Sequence, residues 1–317
     1  MTSAMHAAGP TWEIRPMGSQ DEANLVHLWN ETLVRDPITL DAFRRQTLLS
    51  PNFDPAGCLV AHSGDGAAVG FVLAIPHRTA GLHAGARGTA HIAGLGVLPA
   101  ARRQGLGALL LDAALTFLRG RECARVTVAA HEYYAAGVDA DAYPEGIAFL
   151  VKRGFHQTGE ATAMGRLLYD LEWPSEVRDT ERRLLADGIE VAYFQPNYTR
   201  ALAAYFAAEF PDWIEFFTRK LDAGATLDEI VIALDTRSHQ VIGYCQHLDT
   251  DHVGPFGVAR AYRNRGLGSV MLYRLLERMR QKGYRFAWFG ETGRARPYYE
   301  RAGFFTTRRY ALLERSL

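Results

Sequence analysis

Apolar and polar positions along the chain switch between a period of two and a period of 3.6, and the order of those switches occurs twice. Residues 11–17 alternate and predict a strand. Leu25, Val26, Leu28 and Trp29 recur at helical spacing behind Ser19-Gln20-Asp21-Glu22, which reads as a capping box. A second helix is expected over about 40–49, stopped by Ser50-Pro51. Residues 58–62 and 68–75 read as strands joined at Gly64-Asp65-Gly66, and a Gly- and Ala-rich stretch (78–88) leads to a core strand from His91. Then follow an amphipathic helix (Leu109, Leu110, Ala113, Ala114, Phe117), a strand over 124–130, a loop over 131–143, a helix over 144–153 and a strand over about 155–171. Residues 173–188 are polar and read as a linker with a short helix near 181–186. The order then recurs: a strand over 189–194, helices over 199–210 and 212–221, paired strands over 230–235 and 241–248, and a core strand from His252. A helix carrying Val270, Met271, Leu275, Leu276 and Met279, a strand over 285–289, a short helix over 296–302 that tolerates Pro297 in its first turn, and a strand over 305–313 complete it.

The recurrence is sharpest where each core strand ends. Residues 91–107 read His-Ile-Ala-Gly-Leu-Gly-Val-Leu-Pro-Ala-Ala-Arg-Arg-Gln-Gly-Leu-Gly, and residues 252–268 read His-Val-Gly-Pro-Phe-Gly-Val-Ala-Arg-Ala-Tyr-Arg-Asn-Arg-Gly-Leu-Gly. They align without a gap at one offset (252 − 91 = 161; 268 − 107 = 161), sharing the His, the Gly-Val that ends the apolar run, the Arg and the final Gly-Leu-Gly. So long a period in 317 residues describes two copies of a whole domain, not a solenoid unit. A helix start leaves backbone N–H groups unpaired and carries partial positive charge, and glycines let an anion approach them. Arg263 and Arg265, or Arg102 and Arg103, add full charge beside the turn. The arrangement suits a phosphate or pyrophosphate. It is neither Gly-x-x-x-x-Gly-Lys-Ser/Thr nor Gly-x-Gly-x-x-Gly with a following acid, which argues against a nucleotide-hydrolase loop and a dinucleotide fold.

Arg/Gln-x-x-Gly-x-Gly/Ala, five residues after a strand-ending Val, resembles the acyl-CoA pyrophosphate loop of the GCN5-related N-acetyltransferases (GNAT). The resemblance assigns cofactor binding to Val258 and to Arg263, Asn264, Arg265, Gly266, Leu267, Gly268 and Ser269. In the first copy it assigns Val97 and Arg102, Arg103, Gln104, Gly105, Leu106, Gly107 and Ala108. A second family feature, Tyr-x-x-x-Gly-Phe, is matched by Tyr299 to Phe304, whereas the first copy has Leu150 in place of the Tyr. The implied fold is α/β (α+β): two tandem GNAT-like domains, each a mixed, mostly antiparallel sheet flanked by helices, in an arrangement similar to mycothiol synthase. The expected domains are 1–172 and 189–317. The implied activity is acetyl-CoA-dependent N-acetylation of a primary amine by direct attack in a ternary complex, with acetyl-CoA as cosubstrate, no metal, and the second domain active.

Acyl transfer to an amine needs a base, because the amine is protonated near neutral pH, and backbone N–H donors for the oxyanion, which the end of the 252–258 strand can supply. In the family the acid for the departing thiolate is the motif Tyr, carried here onto Tyr299; its bland counterpart is aromatic packing beside Tyr298. His252 matches the place of the family's general-base Glu. It lies six residues before Val258, so a regular strand would put the two side chains on one face. The bland counterpart is a strand-end His capping the turn after Asp249-Thr250-Asp251, and Glu291 is a rival base. His91 is the equivalent in the first copy, where Leu150 offers no acid and Tyr133, Tyr134 or Tyr143 are substitutes. Trp213, Phe216 and Phe217 fall on helices that often border the acceptor pocket in the family, although their helical spacing favours the core.

Composition narrows the partners. Lys plus Arg and Asp plus Glu balance at 35 each, which argues against a nucleic-acid or membrane surface. Cys58, Cys123 and Cys245 are too widely spaced for a metal pattern or a disulfide framework. The absence of a leader-like or membrane-spanning stretch predicts a cytoplasmic chain. The expected partner is a small-molecule or peptide amine acceptor, met by a monomer (a pseudo-dimer by duplication) or a homodimer. Two alternatives stand: a non-enzymatic acetyl-CoA sensor, against which the Tyr299 match argues, and a tRNA-dependent aminoacyl transferase of tandem GNAT fold, against which the two retained loops argue.

Overall fold

A computed structural model describes residues 11–77, 88–128, 135–211, 213–222, 227–247 and 251–317. His131, Glu132, Tyr133, Tyr134, Asp249, Thr250 and the side chain of Phe216 lie outside the described residues. In chain order the elements are β1 (Glu13–Pro16), α1 (Glu22–Thr32), α2 (Leu40–Phe43), β2 (Cys58–His62), β3 (Ala68–Pro76), β4 (Thr89–Val97), α3 (Leu106–Gly120), β5 (Arg125–Val128), β6 (Val138–Asp139), α4 (Pro144–Lys152) and β7 (His156–Leu167). They continue as α5 (Ser175–Ala186), β8 (Ile189–Tyr193), α6 (Thr199–Glu209), α7 (Trp213–Asp222), β9 (Ile230–Asp235), β10 (Gln240–His247), β11 (Val253–Val258), α8 (Leu267–Gln281), β12 (Phe286–Phe289), α9 (Arg296–Arg301) and β13 (Phe305–Ser316).

The described residues up to 161, together with 309–317, form one compact unit, and 162–308 form the other. In the first unit β1, β2, β3 and β4 pair antiparallel in that order, and β4 then pairs parallel with β5. One face of this sheet packs on the apolar stripe of α3, where Leu106, Leu110, Leu111, Ala114, Leu115 and Leu118 are buried. The other face packs on α1 through Trp29, whose ring stacks on Phe71 at 5.3 Å between centroids. In the second unit β8, β9, β10 and β11 pair antiparallel, and β7 pairs antiparallel with β12. Among the described residues no helix is long and apolar enough to cross a membrane.

Local chemistry departs from expectation at two helix starts. The acid that closes the first turn before α1 is Asp21: its carboxylate accepts from the Gly18 N–H at 2.9 Å and from Arg15 at 2.6 Å, so the Ser19–Glu22 box does not form. The helix expected over 40–49 is one α-turn, capped by Thr39 Oγ1 at 3.1 Å from the Ala42 N–H, followed by a wider π-turn over Arg44–Leu48.

The unit boundaries also differ from those expected at 172 and 189. Residues 313–316 of β13 pair with β5, and Ala311 and Leu313 are buried in the α3-side core, so the last strand completes the first sheet. Residues 164–167 of β7 pair with β12 and belong to the second unit. The stretch expected as a linker is mostly the twelve-residue helix α5, which buries Val177 and Leu184 and packs on α8 and β8 inside the second unit. Its polar appearance comes from exposed arginines and acids on the outer face.

Leu313→Ala removes a fully packed side chain from the first core and should destabilise that unit by about 2–5 kcal/mol. Hydrogen exchange checks this: amides of Arg125–Val128 should lose protection while those of Phe286–Phe289 keep theirs.

Candidate functional site

Each glycine loop is built from two left-handed residues separated by one ordinary residue. Asn264 and Gly266 have φ of 62° and 81°, and Arg103 and Gly105 have φ of 61° and 86°. Such alternation turns successive N–H groups toward one point, and Gly266 and Gly105 cap the 15-residue helices α8 and α3, whose free N–H groups add to the same cradle. Glycine is favoured at 266 and 105 because the left-handed region costs a residue with a Cβ energy, a cost that Asn264 and Arg103 bear in the same loops. The loop Arg has a second task that the sequence does not announce: Arg263 Nε donates to the Val258 carbonyl at 2.9 Å, and Arg102 Nε to the Val97 carbonyl at 2.8 Å. These clasps tie each loop to the end of its strand.

The loops differ in their surroundings. Arg265 lies over the Tyr262 ring, and Arg183 of α5 donates to the Arg265 carbonyl at 3.2 Å. A Cβ on Gly266 would come within 2.7 Å of Thr180 of the same helix, whereas a Cβ on Gly105 would meet nothing within 4 Å. Arg103 is 3.3 Å from Glu145. Arg183 and Thr180 escaped the sequence reading because they sit in the presumed linker.

The strand before each loop does not keep the expected alternation. Opposite β10, Phe256 pairs with Cys245 and Val253 with His247, so Gly254 and Pro255 together face the single residue Gln246. Opposite β3, Gly94 pairs with Leu73 and Ile92 with Ala74, leaving Ala93 as the extra residue. This bulge shifts the parity by one. His252 and Val258 therefore do not share a face, which corrects the expectation, and the same holds for His91 and Val97. Val97 faces α3, 3.8 Å from the Cβ position of Gly107. Val258 pairs with Gly243, whose Cβ position abuts Met271 of α8. His91 pairs with Ile75 on the α1 side. His252, out of phase with Val253 and Val258, falls on the face where the Gly257 Cβ position meets Phe210 and Trp213, the α6–α7 side.

Among the described residues β4 and β5 pair in parallel from Thr89↔Arg125 to Ile92↔Val128. In the second unit, among the described residues, β11 and β12 meet through the bridge His252↔Trp288 and the hydrogen bond from Trp288 N to Asp251 O at 3.0 Å. Beyond that bridge β11 has no ladder to β12 among the described residues, leaving peptide groups that an extended chain can pair with.

On the α6–α7 face of the second unit, the His252 ring lies 4.3 Å from that of Trp288, whose Nε1 donates to Asp251 Oδ1 at 2.8 Å. Phe210 and Trp213 stack at 3.9 Å directly over Gly257, where a Cβ would come within 2.6 Å of the Trp213 ring. Phe217 is buried in the core. Tyr205 donates to the Gly257 carbonyl at 3.0 Å. Two buried polar residues were missed from sequence: the Tyr244 hydroxyl donates to Gln246 Oε1 at 2.5 Å, and Gln246 Nε2 has no partner among the described residues. Their register equivalents in the first unit are Phe71 and Leu73, and nothing in an apolar strand pattern flags them.

On the opposite face, Tyr299 is 6% exposed, its ring 4.3 Å from Phe289 and 5.7 Å from Phe304. Burial pushes its phenol above the usual Tyr value, and the same cause acts more strongly on Tyr298. Tyr298 hydroxyl approaches the head of α8, 3.5 Å from the Cβ position of Gly268. Leu150 holds the Tyr299 place in the first core, and Phe149, near Gly107, holds that of Tyr298. Glu291 is exposed, two residues after the end of β12.

The sequence profile described as the Acetyltransferase (GNAT) family matches residues 23–139 and 189–304. No curated protein matches the chain's sequence. Among solved structures, the GCN5-related glucosamine N-acetyltransferase region of a fungal multi-domain GH3 β-N-acetylglucosaminidase superposes with a TM-score of 0.81 at 20% identity, covering 97% of this chain and 38% of that one. The chain thus spans about two fifths of the length of that fungal protein. A GCN5-related N-acetyltransferase from Sphaerobacter thermophilus gives 0.69 at 20% identity over 96% and 95% of the two chains. A tandem GNAT protein from the clavulanic acid biosynthesis pathway gives 0.66 at 16% identity over 96% and 98%. At these identities the likeness is one of fold.

The two loops make a matched pair for a stability test. Gly105→Ala should cost about 1–2 kcal/mol for the left-handed backbone alone, while Gly266→Ala should cost roughly 1–3 kcal/mol more because Thr180 is in the way. Amide-exchange protection in α3 and α8 reads the two costs separately.

Proposed function

Because the chain belongs to the Acetyltransferase (GNAT) family, we propose that its second unit is an acetyl-CoA-dependent N-acetyltransferase that acetylates a primary amine by direct attack in a ternary complex. The observation that carries this reading is the amide cradle at Asn264–Gly268 standing at the end of a strand that has parted from its neighbour. Acetyl-CoA, when bound, supplies an acyl group activated as a thioester. The cradle and Arg265 suit its phosphates, with Gly266, Leu267 and Gly268 offering N–H groups at the head of α8, while the Ser269 N–H is donated to the Gly266 carbonyl at 3.0 Å. The unladdered peptide groups of β11 near Val258 suit its extended arm and, through an N–H, the oxygen that gains charge.

His252 is the base in this reading. Being on the α6–α7 face, it takes the ammonium proton on the side away from the cradle, with the Phe210–Trp213 stack on the same face. Tyr299 gives its phenolic proton to the departing sulfur. A phenol with a raised pKa keeps its proton throughout the neutral range, which is the state an acid needs. Glu291 is the competing base, and Gln replacements at 252 and 291 separate the two. The fungal neighbour is named for glucosamine, so an amino sugar is the first acceptor to assay.

Calorimetric titration with acetyl-CoA tests the cofactor. Binding that Gly266→Glu abolishes supports the reading; no binding at either loop sinks it. Tyr299→Phe should lower kcat about 100-fold or more while leaving acetyl-CoA affinity unchanged. The sign of the pH effect is fixed by the raised phenol: Tyr299 stays protonated below its ordinary value of 10.0, so it adds no falling limb to the pH–rate profile in that range. An unchanged kcat in Tyr299→Phe would return that ring to packing alone.

A further inference from the structure

Helix α5 ends before residue 189, where the second family-profile match begins, yet it reaches the Gly266 loop at two points. Arg183 donates from Nη2 to the Arg265 carbonyl at 3.2 Å. Thr180, three residues earlier and so on the neighbouring part of the same helical face, stands against Gly266. The helix is held in place by burial of Val177 and Leu184 and by the ion pair of Glu181 with Arg274 of α8. Those contacts fix the backbone that carries Arg183, while its side chain is exposed beside the loop.

The loop itself presents a second cation in a set place. The Arg265 guanidinium lies over the Tyr262 ring, 5.5 Å from its centroid, and the Tyr262 hydroxyl donates to Asp235 Oδ2 at 2.8 Å. The other carboxylate oxygen of Asp235 accepts from the Arg237 and Ser238 N–H groups at 3.0 and 3.2 Å, which anchors the acid at the end of β9. Among the described residues neither Arg183 nor Arg265 has an acidic partner. The first loop is built differently at the same places. At the offset of 161 the residue matching Arg265 is Gln104 (265 − 161 = 104), whose Nε2 donates back to the Ala100 carbonyl at 2.9 Å. The residue matching Tyr262 is Ala101 (262 − 161 = 101), and the nearby Arg103 is paired with Glu145 at 3.3 Å. What the loops share is the left-handed pair of residues, the Arg clasp and the helix head; what only the second has is the pair of uncompensated guanidinium groups.

CoA carries a pyrophosphate and, separately, a 3′-phosphate on its ribose. The amide cradle, common to both loops, suits the pyrophosphate. The extra cations then serve a group that only the second loop reads, and a guanidinium fork matches a phosphate monoester. We propose that α5 is part of the cofactor site of the second unit, where Arg183, together with Arg265, binds the 3′-phosphate and makes the site select CoA over its 3′-dephospho form. The proposal rests on acetyl-CoA binding at the Gly266 loop, as the proposed function has it. Tyr262 and Asp235 are positioning residues: they hold Arg265 in place without touching the cofactor.

Calorimetric titration of the full chain carrying Gly105→Glu, which confines binding to the second loop, tests this with acetyl-CoA and 3′-dephospho-acetyl-CoA. At low salt acetyl-CoA should bind about 10- to 100-fold more tightly, and the ratio should narrow as salt screens the exposed charges. Arg183→Ala should weaken acetyl-CoA binding and leave the dephospho form unchanged, whereas Arg183→Lys should restore part of the ratio. A purely structural Arg183 would weaken both ligands equally. Tyr262→Phe, which keeps the ring and removes the tether to Asp235, should lower the ratio by less than Arg183→Ala does. Equal affinities for the two ligands, or a ratio that Arg183→Ala leaves intact, would overturn the proposal. The proposed function would still stand, because acetyl-CoA would bind and Gly266→Glu would abolish that binding. Absence of binding by either ligand would remove both.

Discussion

The strand that runs into each glycine loop carries one residue more than its antiparallel neighbour, and the bulge reaches both faces of the sheet. Before it, His91 and His252 face the α1 and α6–α7 sides; after it, Val97 and Val258 face α3 and α8. A regular strand would place both groups on one face, because side chains alternate with period two. A transfer between an anchored thioester and an incoming amine needs proton-handling groups on the acceptor side and anion-holding groups at the helix head. The extra residue lets one strand serve both. The Arg102 and Arg263 clasps to the strand-end carbonyls then fix where the cradle stands relative to the bulge.

The two units share this backbone and differ in the side chains hung on it. Leu150 and Tyr299 occupy one core position, Phe149 and Tyr298 the next, and Thr127 and Trp288 the residue beside the strand histidine. Each exchange alters which groups can hold a proton while leaving the strand register in place. In the second unit the polar groups are Tyr298, Tyr299 and the Tyr244–Gln246 pair. In the first they are His77, His91 and Thr127. A buried polar group without a partner is costly: Thr127 Oγ1 is bonded to His91, whereas Gln246 Nε2 has no partner among the described residues.

Much of this is legible from the chain alone, because the signals are local. The repeat at 161 residues, the helical spacing behind each Gly-Leu-Gly, and the Tyr299 motif depend only on neighbours in sequence. What stayed hidden depends on strand partners. The bulge is a mismatch between β11 and β10, and nothing between His252 and Val258 says that Gln246 will face two residues. His77 meets His91 only when β3 and β4 come together. Helix α5 reads as a linker in sequence because it buries few apolar residues, Val177 and Leu184, and its outer face is charged.

The same non-local logic governs the closing strands. An alternating strand near residue 310 fits either of two similar sheets, and sequence assigns it to the nearer one; instead residues 313–316 pair with β5, almost two hundred positions earlier. The first sheet therefore lacks its last strand until the chain's final residues are present, and residues 164–167 are in turn committed to β12. Contacts this far apart in sequence close late, because loop-closure entropy must be met before they form. A duplicated chain whose first unit is finished by residues 309–317 does not divide at its midpoint, and that unit has all its strands only after residues 162–308 have been synthesised.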